Sequence, residues 1–261
     1  MIISDFEELD TSEETKLKYL QDGPMTQQFL NDTALDSKMS AAKTDREKVK
    51  ILYLYIHTHT KNATFASNDY KRNHKFQRTA AEIWSQKQMT GCTDYALVFA
   101  TLARKYGLPT TILDTLEQGC LDSIQAGKPV NSINGHAFCE CFMDGEWKLL
   151  DPTFAITEKT YNPEHIKLTG FHNVKFKKNF IPISRKIDTE RTQSIREHNE
   201  ILQEMILGKF KAKPEIKPIT KAELDSAGYS QEKPSVTTPI NKSKDNELTI
   251  GKDDLQLGGP Q

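Results

Sequence analysis

The sequence predicts an α+β fold, and three features carry that expectation. A strongly apolar helix is expected over Cys92–Tyr106. A strand and an Asp-Gly hairpin follow it, and helix-start signals precede it. Helices followed by antiparallel strands segregate into a helical layer on a sheet.

Three Thr-x-x-Glu pairs, Thr11/Glu14, Thr44/Glu47 and Thr79/Glu82, fit the capping box, in which hydroxyl and carboxylate satisfy each other's free backbone N–H groups. The second opens a helix over about 45–58. Val49, Leu52, Tyr53 and Ile56 recur there at i, i+3, i+4, i+7, a single apolar stripe. In the helix from Cys92, the residues Ala96, Leu97, Phe99, Ala100, Leu102 and Ala103 leave little polar surface. Gly107 and Pro109 end it. Thr110–Leu113 reads as a strand, and a polar loop with Gly119, Gly127 and Pro129 is expected next. The apolar runs 136–142 and 147–151 flank Asp144-Gly145, a strong signal for a type I′ hairpin. A last helix is expected over about 192–207, with Gly208 placed to stop it.

At 261 residues the chain has room for a substantial core. Lys plus Arg is 35 and Asp plus Glu is 36. That balance argues against a nucleic-acid binder and against a polybasic membrane-surface protein. Ile51–Ile56 is the most apolar run, far short of the roughly 20 residues a spanning helix needs. The acidic start is unlike a secretory leader, so either the protein is cytoplasmic, as expected here, or a leader was removed before this numbering begins; four cysteines do not make a disulfide scaffold, and free thiols are expected. Mean hydropathy is −0.62. Residues 209–261 help to explain it: they hold nine Lys, eight Asp or Glu and five Pro, but only ten Leu, Ile, Val or Phe. Such a segment buries too little apolar surface to offset its ordering entropy, so a disordered tail is expected, with a binding partner as an open possibility. The organisation read from this is an N-terminal helical extension over 1–43, a body over 44–208 and the tail.

The hairpin carries chemistry. A two-residue turn at 144–145 pairs Met143 with Glu146, Phe142 with Trp147 and Phe138 with Asp151. His136 then shares a face with Asp151 as its diagonal neighbour, roughly 7–8 Å away at the backbone. An imidazole and a carboxylate can close that gap, with the carboxylate orienting the ring. Cys92 opens a helix, where free N–H groups and the helix dipole favour a thiolate, and a nearby His136 would favour it further. Alone, a cysteine opening a buried helix is ordinarily a small hydrophobe, and a strand histidine is ordinarily structural. Together they make a Cys-His-Asp set suited to acyl transfer. The Cys92 N–H is one oxyanion donor; Gln86, Trp84 and Gln88 are the candidates for a second.

Several short motifs occur in a specific order: Gly91-Cys92-Thr93-Asp94-Tyr95-Ala96, Gly107-Leu108-Pro109, Gly135-His136-Ala137-Phe138 and Trp147 through Thr153. Over about residues 44–155 the chain resembles the transglutaminase-like superfamily. The resemblance implies a papain-like α+β core with Cys92, His136 and Asp151 as nucleophile, base and orienting acid. The expected substrate is an amide in a protein or peptide, and no cofactor or metal is expected, since the sequence has neither a phosphate-binding glycine loop nor a calcium loop. Hydrolysis is expected over cross-linking, since no calcium-loop pattern appears and the length leaves no room for added β-domains. Protein-glutamine transamidation, an acyl transferase and a non-catalytic binding module are the alternatives. Other clusters are weaker. Cys139-x-Cys141 lies on the hairpin face opposite His136. His57-x-His59 lacks paired zinc-ligand spacing. Lys167, Lys175, Lys177, Lys178, Arg185 and Lys186 read as a solvated strand edge.

Overall fold

The computed structural model describes residues 9–27, 32–128, 133–157, 171–173, 178–189 and 191–208. Contacts divide the chain into Met1–Pro218 and Ile219–Gln261, and every described residue belongs to the first unit. The tail expected over 209–261 lies outside the described residues.

Six helices come first: α1 (Glu13–Lys18), α2 (Thr33–Ala41), α3 (Asp45–His59), α4 (Asn68–His74), α5 (Ala80–Gln86) and α6 (Cys92–Lys105). Then follow β1 (Thr110–Glu117), α7 (Gln118–Gln125), β2 (Gly135–Met143), β3 (Glu146–Asp151), β4 (Ile156–Thr157), β5 (Phe171–Asn173) and β6 (Lys178–Lys186), with α8 (Ile195–Ile206) last. Among the described residues the strands form one antiparallel sheet in the order β4-β3-β2-β1-β6-β5. The α+β expectation is met.

Helix α6 is buried from Thr93 to Arg104. It packs on β1 and β2 on one side and on α3 and α5 on the other. Ala137, Cys139, Cys141 and Met143 supply the floor from β2, while Leu52, Tyr53 and Ile56 of α3 close the opposite side. Leu35 and Met39 of α2 join this same core, ahead of residue 44. Both capping boxes expected at Thr44 and Thr79 form.

Two local expectations are corrected. Helix α1 is capped by Ser12 rather than Thr11, and the Ser12 side chain accepts from the Thr15 N–H. Asp10 explains the shift: it accepts from the Ser12 N–H at 2.8 Å and the Thr15 hydroxyl at 2.9 Å, fixing the turn one residue later. The polar loop after β1 is instead helix α7. Cys120, Leu121 and Ile124 form a short apolar stripe that buries against Leu116, Ile181 and Ile183 of the sheet and Leu202 and Ile206 of α8. Burial against non-local partners outweighs the weak local preference of a segment containing Gly119.

The hairpin register is the one expected, with Met143 opposite Glu146 and Phe142 opposite Trp147. Asp144 and Gly145 both take positive φ, at 52° and 87°. A Cβ added at Gly145 would meet nothing within 4 Å, so its substitution tests conformation alone. Gly145→Ala should lower unfolding free energy by about 1–2 kcal/mol, the cost of left-handed backbone for a residue with a Cβ. Urea unfolding measures it; an unchanged midpoint would show that the turn does not constrain the hairpin.

Candidate active site

The nucleophile candidate is placed by the start of α6. Gly91 is the N-cap and offers no side chain to the first turn, so the helix begins without a side-chain cap. The loop before it is fixed from inside. The Asp94 carboxylate accepts from the Thr90 N–H at 2.6 Å, the Thr90 hydroxyl at 2.7 Å and the Arg78 guanidinium at 2.5 Å. Arg78 also donates to Gln86 Oε1, the Tyr70 hydroxyl and the Gln88 carbonyl. A buried ion pair thus ties α5, the 88–90 loop and the first turn of α6 together.

Cys92 is partly buried, whereas Cys120, Cys139 and Cys141 are buried. His136 and Asp151 are both buried, and His136 Nε2 lies 3.0 Å from Asp151 Oδ2. The other Asp151 oxygen accepts from the Thr153 N–H at 3.1 Å. Phe138 meets the imidazole edge-on at 4.5 Å and Phe154 stacks on it at 6.1 Å, so the ring is held on two sides. With Nε2 committed to Asp151, Nδ1 is left for the thiol, and a side-chain hydrogen bond links Cys92 to His136. The Ala137 N–H also donates to Cys92. The β2–β3 pairs end at Cys139 with Leu150, so the thiol sits beside β2 where that ladder has stopped.

The electrostatics follow from this geometry. Burial pushes the Cys92 thiol up, but the His136 charge and hydrogen bond, the Lys75 ammonium and the Ala137 N–H together hold it below an ordinary thiol. Burial pulls His136 down, yet the Cys92 charge and the hydrogen bonds the ring donates to Asp151 and Cys92 prevail and push it up to about 10. The two shifts describe one arrangement, a thiolate beside an imidazolium. Burial instead pushes Cys141 up to about 12 and Cys139 well above its usual value.

Residues 33–152 match the family model described as the transglutaminase-like superfamily. This segment belongs to that superfamily. The match begins eleven residues before the motif-bearing stretch and takes in α2, consistent with the burial of Leu35 and Met39 in the shared core. No curated protein matches the sequence. A solved structure of a candidate cysteine protease from Cytophaga hutchinsonii is similar at 15% identity with a TM-score of 0.42; the alignment covers 69% of this chain. The chain spans about half of that protein, 52% of its length.

The transglutaminase-like segment brings Cys92, His136 and Asp151 together but sends the second-donor candidates elsewhere. Gln88 Nε2 donates to the backbone carbonyls of Lys61, Asn62 and Met89. Trp84 stacks on Tyr55 and His59. Gln86 is exposed at the end of α5, with its carbonyl oxygen taken by Tyr70 and Arg78. None of the three lines the cavity at Cys92. A six-residue offset from the cysteine misleads here because Gln86 is helical and Lys87 then turns left-handed.

Sequence reasoning missed His57 as a support: its Nε2 lies 2.9 Å from the Pro152 carbonyl, next to Asp151, and its ring stacks on Tyr95. His59 turns back to the Tyr55 carbonyl. Arg185 and Lys186 sit on the internal strand β6, paired with Glu140 and Asp114, rather than on a solvated edge. Lys167, Lys175 and Lys177 lie outside the described residues, as does the side chain of Lys178. Among the described residues no helix is long and apolar enough to cross a membrane.

The Asp94–Arg78 pair gives a stability test. Arg78→Met leaves a buried carboxylate without its cation and should cost about 3–5 kcal/mol. Arg78→Met with Asp94→Asn should recover part of that loss. Urea unfolding of both variants checks it; a loss below about 1 kcal/mol in the single variant would mean the pair does not hold the loop.

Proposed function

We propose that this chain is a thiol enzyme that transfers an acyl group from a peptide or protein amide through a thioester on Cys92. The observation that carries the reading is His136, held by Asp151 through Nε2 and hydrogen-bonded to Cys92. The Cys92 thiolate attacks the amide carbonyl carbon. The Cys92 N–H, at the uncapped start of α6, faces the developing oxyanion. His136 gives its proton to the leaving nitrogen as the C–N bond breaks, and Asp151 keeps the ring in the orientation that serves both partners. Water then attacks the thioester, loses a proton to His136 and releases a carboxylic acid, restoring the thiolate–imidazolium pair. Water is the proposed acceptor, and a cavity of about 300 Å³ that reaches both Cys92 and His136 leaves it room to approach the thioester.

Intact-mass trapping of a thioester with candidate peptides, with and without an added amine, tests both halves of the reading. A mass gain that is absent from Cys92→Ala supports acyl transfer. An amine-bearing product in place of free acid would make the chain a transamidase, and no adduct with any peptide would favour a binding module.

Iodoacetamide at pH 6 should label Cys92 ahead of Cys120, Cys139 and Cys141, since an ordinary thiol near 8.5 is mostly protonated there. Turnover should rise with pH as Cys92 ionises, on a limb below that ordinary value. It should fall again near pH 10 as His136 loses its proton. A single rising limb that continues past pH 10 contradicts a working imidazolium. Asp151→Asn, if melting shows it folded, should lose orders of magnitude in turnover, and its loss should not multiply with that of Cys92→Ser.

A further inference from the structure

The cavity beside Cys92 is bounded by the start of α6, by β1 and β2, and by α8, and it carries a cation, Lys75, that favours the thiolate but takes no part in the proton transfers of the proposed reaction. Lys75 follows directly after α4, and its side chain runs alongside Gly91. A Cβ built on Gly91 would lie 3.4 Å from Lys75 Cε and 3.9 Å from Nζ. The ammonium therefore lies beside the residue that precedes the nucleophile candidate, and Lys75 lines the same cavity as Cys92. Its partner within the fold is the face of Phe76, at 4.8 Å from the ring centroid. No described carboxylate forms an ion pair with it, although Asp114 lines the same cavity. That carboxylate is engaged by Lys186 at 3.0 Å and by the Ser184 hydroxyl at 3.1 Å.

The remaining walls supply little charge. His198 stacks on Phe76 at 3.5 Å, and burial holds it down to about 4, so the ring is neutral near pH 7. Ile183, Ile195 and Leu202 make the far side apolar, and Asn199 adds an uncharged amide. A cation without an ion pair, in a mixed cavity with one apolar wall and next to the candidate thiol, suits a ligand that carries an anionic group with an apolar group beside it.

We propose that Lys75 binds a carboxylate of the substrate, so that the peptides acted on carry a carboxylate close to the bond attacked by Cys92. A free C-terminal acid and an acidic side chain offer the same chemistry. This rests on the reading of Cys92 as the acyl acceptor, and it makes Lys75 a specificity residue for that reaction.

Two measurements separate the specificity claim from the catalytic one. The first is the ratio of Cys92 alkylation rates by iodoacetate and iodoacetamide, reagents that differ by a carboxylate. Any change in thiol ionisation affects both rates and cancels in the ratio. Lys75→Met should lower the ratio about tenfold, the scale of one hydrogen bond to a charged group, while Lys75→Arg should largely preserve it. Equal ratios in wild type and Lys75→Met overturn the proposal.

The second measurement is calorimetric binding to Cys92→Ala, which needs no reactive thiol. The probes are N-acetyl-Ala-Ala-Leu as free acid, its carboxamide, and N-acetyl-Ala-Glu-Leu carboxamide. At least one carboxylate-bearing peptide should bind about tenfold more tightly than the uncharged carboxamide, and Lys75→Met should remove the difference. Whichever acid binds identifies the source of the carboxylate. Equal binding of all three, or none by any, overturns the proposal. A normal preference in Cys92→Ala together with no thioester in wild type would leave carboxylate recognition standing and remove the catalytic reading.

Discussion

Helix α6 is buried over nearly its whole length, from Thr93 to Arg104, and the charges it carries inside have to be satisfied there. Large side chains such as Tyr95, Leu97, Phe99 and Leu102 each favour burial by about 1.5–3 kcal/mol, which explains why the sheet closes on this helix. The same burial takes Asp94 and Arg104 out of water, and an unpaired charge there would cancel the gain from a packed side chain. Arg104 therefore donates to the Thr110 and Ile187 carbonyls, joining the end of α6 to β1 and to the chain after β6. Asp94 draws in Arg78 and Thr90 at the other end. The nucleophile candidate is the first residue of an element whose two ends are both fixed by buried polar networks.

That fixation explains how a reactive group can sit at the edge of a packed core. A helix start ordinarily recruits a side-chain cap, which occupies N–H groups of the first turn. Gly91 supplies none, and the loop is held from beneath by Asp94 instead. The first turn is thus immobilised without a cap over its outer face. On the sheet side, His136 and Asp151 come from neighbouring strands whose register is set by a two-residue turn at the far end of the hairpin. Regular elements carry the three side chains, and the adjoining loops hold them through Thr90, Thr153 and Phe154.

Legibility in the sequence followed the range of the interactions involved. The Asp144-Gly145 turn is local, and a period-2 strand carries its register outward, so the His136–Asp151 contact could be inferred from a dozen residues. The capping boxes at Thr44 and Thr79 are local as well. Helix α7 was not legible, because its stripe of Cys120, Leu121 and Ile124 finds its partners on β6 and α8, some 60 to 80 residues on. Gln86, Trp84 and Gln88 failed for a related reason: distance along the chain from Cys92 says nothing of direction once α5 and the turn at Lys87 intervene. His57 and Lys75 carry no motif, and only the folded contacts with Pro152 and Gly91 give them a place.

The charges around the thiol account for why these separate contacts belong to one site. Asp151 alone beside His136 would stabilise an imidazolium, and a buried thiol alone would stay protonated. Placed in contact, each group supplies the counter-charge that burial makes costly to leave unmet. The low polarisability that penalises either ion singly then strengthens the pair. Lys75 adds a second positive charge on the open side of Cys92, where its influence on the thiol and on an incoming anion has the same sign. A carboxylate seated there would offset that charge and weaken its help to the thiolate, while His136, shielded by Phe138 and Phe154, would keep its own. The buried pair therefore sustains the ionised thiol whether or not the outer cation is occupied, which leaves the outer cation free to select what approaches.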